Sequence, residues 1–256
     1  MSYSDLEHCA TMLSGCEAIN LGDYKSPDSK YAQGVLKLHA NDLGVFAGQE
    51  GFLDMVKKGA GKIKEWFLNL IKAIVNFIDD ITGQTAKRKQ IEKELEERDR
   101  QIKNDLDARK AHDDKLTKAA SECFSFPAEE TQRIYEELNG AGYFDQPLFD
   151  KLTVSTFRID GGHGAMRELA MLAREPDNKT HLYVAKELET LEKGIAELAL
   201  ESKRAVNKYD DSETNAKMES QIRVAGKMLT KFTRVLKIWD DALNRFYKMV
   251  EPSNKD

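Results

Sequence analysis

Apolar residues recur along most of this chain in steps of three and four, the period of an α-helix that buries one face. The pattern is cleanest in the last third. Val184, Leu188, Leu191, Ile195 and Leu198 form one stripe, and Ile222, Ala225, Leu229, Phe232, Leu236, Trp239, Leu243, Phe246 and Val250 form a second. Between them lies the polar run KYDDSETN at 208–215. Two heptad-patterned helices joined by a short polar turn predict an antiparallel hairpin over residues 184–250.

A broader stripe runs through residues 51–82, with Phe52, Val56, Ala60, Ile63, Phe67, Leu70, Ile74, Phe77 and Ile81 on one line. Leu53, Met55, Trp66, Leu68, Ile71, Val75 and Ile78 widen its apolar face, while Lys57, Lys58, Lys62, Lys64 and Lys72 occupy polar positions. Asp54 and Glu65 are the sole acids before Asp79, so this helix is locally cationic. Charge interrupts it too often for a membrane-spanning helix of about twenty apolar residues.

The texture then inverts. Residues 83–122 are dominated by charge, with Ile91, Leu95, Ile102, Leu106 and Leu116 as a thin seam, and predict an extended exposed helix or a weak coiled-coil arm. Residues 123–256 read as a C-terminal helical domain that contains the hairpin. In it, Pro127 is expected near the start of a short helix, Gly140 near its end, and Gly161, Gly162 and Gly164 in a turn around His163. Residues 1–50 form a mildly acidic helical segment with a Ser-Pro-Asp-Ser turn at 26–29. The predicted fold is all-α, elongated, with an amphipathic helix, a charged helix and a C-terminal hairpin.

Composition narrows the function classes. A net charge of -5 over 256 residues supplies no general attraction to nucleic acid or anionic lipid, so such contact must come from a local segment. Lys87, Arg88 and Lys89 are the one sharp basic cluster, and Glu92, Glu94, Glu96 and Glu97 largely cancel it, so direct nucleic-acid binding is not expected. Cys9, Cys16 and Cys123 are an odd number and suit reduced thiols rather than a disulfide framework; no ligand set completes a metal site, and no cofactor is expected. The N-terminal stretch carries acids where a signal peptide has a basic start and an apolar run.

No spacing motif for catalysis is present, neither a nucleophile elbow nor a phosphate-cradling loop nor a His-Glu-x-x-His helix. His163 among its glycines is the nearest candidate for a general base, and it reads more simply as a helix-to-helix turn. Neighbouring acids such as Glu129 with Glu130 and Asp240 with Asp241 read as solvated faces. The chain is expected not to be an enzyme. Its sharpest feature is the cationic helix, with Phe52, Ile63, Trp66, Phe67, Leu70, Ile74, Phe77, Lys57, Lys58, Lys62 and Lys64 as membrane or partner contacts. That face either packs beneath the fold or lies in a bilayer interface with its lysines at anionic headgroups.

At the head of this helix stands Gly48-Gln49-Glu50 followed by Gly51, with Val45, Phe46 and Ala47 before it. The junction resembles the cut sites of prohead proteases of large tailed bacteriophages, which cleave after a glutamate with a small residue two positions earlier. The wider order, an acidic piece with seven acids against three lysines, then the junction, then a lysine-rich amphipathic helix, is similar to internal head proteins of those phages. The resemblance implies a non-enzymatic structural protein of the virion interior, trimmed after Glu50. It also implies other virion or assembly proteins as partners, oligomerisation through helices, and a location in the virion or the host cytoplasm. A pore-forming helical toxin and a cytosolic coiled-coil scaffold are the alternatives.

Overall fold

The computed structural model describes residues 8, 10–12, 14–15, 18–19, 22–38, 60–144, 160–172, 174–207 and 216–251. Its helices are α1 (Pro27–Leu38), α2 (Ala60–Gln101), α3 (Leu106–Gly140), α4 (Asp160–Leu172), α5 (Thr180–Asn207) and α6 (Ala216–Val250). No strand occurs among the described residues, and the chain is all-α as its periodicity predicts.

Several boundaries differ from the sequence reading. The cationic and charged segments do not part at 82 and 83, since α2 runs unbroken for 42 residues through both. The break comes later, at the end of Gln101, where the Asp105 side chain accepts a hydrogen bond from the Ala108 amide at 3.0 Å and caps α3. The other expected boundary, at 122 and 123, falls inside α3. Pro127 also lies inside α3 rather than near the start of a short helix. An interior proline costs a helix about 3 kcal/mol. Here Phe124, Pro127, Ala128 and Thr131 are all buried, and that packing carries the helix through. The Ser-Pro-Asp-Ser stretch is the head of α1: the Ser26 hydroxyl accepts from the Ser29 amide and Pro27 opens the helix.

The chain divides into two compact units, one formed by residues 1–77, 145–157 and 197–230 and the other by 78–144, 158–196 and 231–256. In the first, Met12, Ile19, Ala32, Phe67, Leu70, Ile74, Leu198 and Met228 are buried. A Cβ at Gly15 would stand 2.1 Å from the Asp28 carbonyl oxygen and 2.6 Å from the Ala32 Cβ, so glycine is what lets the backbone approach α1. The neighbouring Ser14 hydroxyl donates to Asp28 at 2.6 Å.

The second unit has an aromatic centre. Phe124 lies between Trp239 and Phe246, with ring centroids 5.6 and 5.5 Å away. The Trp239 indole donates to the Thr131 hydroxyl at 2.7 Å, and that hydroxyl donates to the Pro127 carbonyl at 2.7 Å, so the polar edge of this core is satisfied. The glycines around His163 are helical, in α4, rather than a turn. They serve close approach. A Cβ at Gly162 would meet a Phe232 ring carbon at 2.7 Å, and one at Gly194 would meet the Gly162 amide nitrogen at 3.1 Å. Bare backbone thus lets α4 pack tightly against α5 and α6.

Of the stripes predicted for the hairpin, Val184, Leu188, Leu191, Ile195 and Leu198 on α5 and Ala225, Leu229, Phe232, Leu236, Trp239, Leu243, Phe246 and Val250 on α6 are buried, and the Ile222 side chain lies outside what is described. His181 at the start of α5 stacks on Phe246 near the end of α6, with ring centroids 4.9 Å apart. Leu236→Ala is expected to cost about 2 to 5 kcal/mol, because the cavity at a fully buried leucine refills poorly. An unchanged chemical denaturation midpoint would count against it.

Candidate functional site

The structure sorts the residues singled out from sequence into three groups. Gly48, Gln49, Glu50, Gly51, Phe52, Lys57 and Lys58 lie outside the described residues. Ile63, Trp66, Lys62 and Lys64 lie on α2, where the description covers the backbone but not their side chains. Phe67, Leu70 and Ile74 are fully buried, with Ile71 and Ala73 beside them, and Phe77 is half-buried. The polar positions Lys72 and Asp79 are exposed, as the amphipathic pattern requires. In the folded chain, then, Phe67, Leu70 and Ile74 already contact protein. No helix among the described residues is long and apolar enough to cross a membrane.

Charged residues that sequence spacing assigned to solvent are brought together in the second unit. Arg88 is not part of a free basic patch: its guanidinium is buried and forms an ion pair with Asp240, which is buried in turn. Arg88 also donates to the Asn244 side-chain oxygen at 3.0 and 3.2 Å, and the Asn244 amide donates to the second Asp240 oxygen at 3.2 Å. Asp240 is therefore no solvated partner of Asp241, which is exposed and instead binds Lys237 at 2.6 Å. Likewise Glu130 accepts from Arg133 at 2.6 Å and pairs with Arg234 at 2.7 Å, while Glu129 stays exposed.

Glu192 on α5 stands close enough to feel both members of the buried pair. Its carboxyl is raised above the usual range, chiefly by burial; Arg88 opposes that shift and Asp240 adds to it. One turn along α2, Glu92 accepts a hydrogen bond from the Tyr247 hydroxyl, and burial followed by that bond pushes the phenol well above its ordinary value. Each group meets a partner across a helix crossing. Such pairing fixes which helix lies against which and in what register, since a slip would strand a charge in a low-dielectric interior.

His163, the sequence candidate for a general base, shares a hydrogen bond with the Tyr135 hydroxyl at 3.0 Å and packs against the rings of Tyr135 and Phe144 at 5.3 and 4.3 Å. Its imidazole sits in an aromatic cluster whose other neighbour is Phe232, 6.3 Å from Phe144. Cys123 is buried beside the Met249 sulfur at 3.5 Å, and burial raises its thiol. Among the described residues no group of three or more His, Cys, Asp or Glu side chains is placed to hold a metal ion.

Sequence reasoning missed Arg88, Asp240, Asn244 and Tyr247, yet a signal was present. Ile81, Arg88 and Leu95 fall one heptad apart, so Arg88 occupies the buried line of its helix. Asp240 follows Leu236 by four and precedes Leu243 by three, the spacing of a stripe position. A lone charge on an apolar line is a buried polar group that needs a partner. The chain matches no protein-family model, no curated protein and no solved structure.

Proposed function

We propose that this chain is a non-enzymatic assembly protein of the virion interior, trimmed after Glu50, whose amphipathic helix works through protein contacts rather than by inserting into a bilayer. The observation that carries the second half is the burial of Phe67, Leu70 and Ile74: three of the apolar residues an interfacial helix would turn toward a bilayer are already in the core. The ion pair of Arg88 with Asp240 and the bond of Tyr247 to Glu92 support a structural role in the same way, because charge is used there to set helix register.

The processing half rests on the Gly48-Gln49-Glu50 junction and on the change of texture that follows it. Cleavage there removes seven acids and three lysines, and the remaining chain begins with the lysine-rich stretch. Mass spectrometry of protein isolated from its native source is expected to find Gly51 as the first residue. An intact Met1 or Ser2 terminus throughout would sink the processing reading and with it the likeness to phage internal head proteins.

A further inference from the structure

At one point in the second unit four helix ends meet. The end of α2 brings Arg98 and Asp99, the start of α3 brings His112, Asp113 and Lys115, the start of α5 brings His181, and the end of α6 brings Phe246 and Tyr247. Both imidazoles are buried; His112 Nε2 makes no aligned hydrogen bond, and His181 Nδ1 makes none either, the backbone at Asn178 being the hydrogen-bonding group beside the His181 ring. The Asp99 carboxylate lies 3.3 Å from His112 Nε2 without making an aligned hydrogen bond. Buried polar nitrogens left unsatisfied are rare in native cores and call for an explanation.

We propose that His112 and His181 form an acid-sensitive latch: neutral, they let these helix ends pack together; protonated, they force the ends apart. The anions that could hold an imidazolium at His181 are engaged elsewhere. Asp177 accepts from the Lys179 backbone amide at 2.8 Å and the Thr180 hydroxyl at 3.0 Å, in the turn that leads into α5. Asp113 accepts from the Asn178 amide at 2.6 Å, which ties α3 to the turn before α5, and the Tyr247 hydroxyl is committed to Glu92. What His181 does have is the face of Phe246, 4.9 Å away, and the edge of Tyr247 at 6.3 Å. A ring face attracts a cation, but less than water solvates it.

The sign follows from burial. Loss of solvation holds His181 at about 4, against 6.5 in water; Asp177 and the backbone at Asn178 oppose that shift and His112 reinforces it. Burial likewise lowers His112, with Asp99 and Asp113 opposing and Arg98 and Lys115 assisting. Two neighbouring groups that resist the proton in the packed state, and accept it freely in the open one, leave the latch intact above pH 6.5. Its closure is lost as the pH falls from 6.5 toward 4.

The test is amide hydrogen exchange of the full chain over residues 106–116 and 180–190 at pH 7.5 and 5, corrected for intrinsic exchange. His181 alone is expected to raise the opening constant about 30-fold at pH 5, from the linkage between values of 6.5 and about 4. His181→Phe keeps a ring to stack on Phe246 and is expected to remove most of that increase. Acid opening of equal size in the variant overturns the latch. If His181→Phe does not fold, nuclear magnetic resonance titration of the unaltered chain decides. A His181 titration well below 6.5 with concurrent opening supports the latch; a titration at or above 6.5, or protection unchanged down to pH 4.5, overturns it.

Discussion

Phe67→Ala is expected to lower the unfolding free energy by about 3 to 5 kcal/mol, as truncation of large buried aromatics does, and to leave vesicle binding where it was. Phe67 has no exposed surface, and Leu70 and Ile74, one and two turns along the same face of α2, have none either. The part of the apolar line that runs through Phe67, Leu70 and Ile74 is therefore core, and shortening Phe67 opens a cavity within it. An interfacial helix predicts the opposite pair of results. Stability would hardly move, and affinity for anionic vesicles would fall together with its salt sensitivity, since each lysine near an anionic surface contributes about 1 kcal/mol. Vesicle flotation and thermal melting on the full chain and on a chain beginning at Gly51 separate the two. A drop in vesicle binding with an unmoved melting midpoint would return this face to a membrane and revive the pore-former.

Asp240→Ala is expected to cost about 3 to 5 kcal/mol, because it leaves the Arg88 guanidinium buried without its counter-charge. The double variant Arg88→Met with Asp240→Leu is expected to recover most of that loss. An ion pair taken out of water is dear to form, and apolar replacements of similar volume are often neutral or better. Glu192 makes the cycle sharper. In the Arg88→Met single variant the larger of the two neighbours that favour its ionised form is lost, Lys193 being the other, and its carboxyl should rise further, so that the stability it contributes at low pH is lost as the pH rises through its folded value. Because the two substitutions touch one network, their effects should be strongly non-additive, and additivity within about 0.5 kcal/mol would show that Arg88 and Asp240 act independently.

Residues such as Leu188, Leu191, Leu236 and Trp239 could be assigned to a buried face from spacing alone, and so could Phe67, Leu70 and Ile74. Helical periodicity is written locally: side chains three and four apart share a face whatever the rest of the chain does. Gly140 was legible as a helix end for the same reason, since a helix stop depends on the few residues around it. The all-α class and the identity of the buried stripes were therefore fixed before any tertiary contact was known.

What lines each stripe from the other side is not local. Arg88 and Asp240 are 152 residues apart, and each alone resembles a solvated charge; only the crossing of α2 with α6 turns them into a buried pair. The glycines around His163 read as a turn because glycine disfavours helix by about 1 kcal/mol. They fold into α4 because a Cβ at Gly162 would collide with Phe232 from another helix, a gain in packing that propensity does not see. Pro127 persists inside α3 by the same override, its surroundings filled by Phe124, Thr131 and Trp239. Sequence by itself determined which residues face inward, since that is a property of one helix. Tertiary structure alone decided which inward faces meet, and hence which charges and which imidazoles are buried together, because those depend on desolvation by distant segments of the chain.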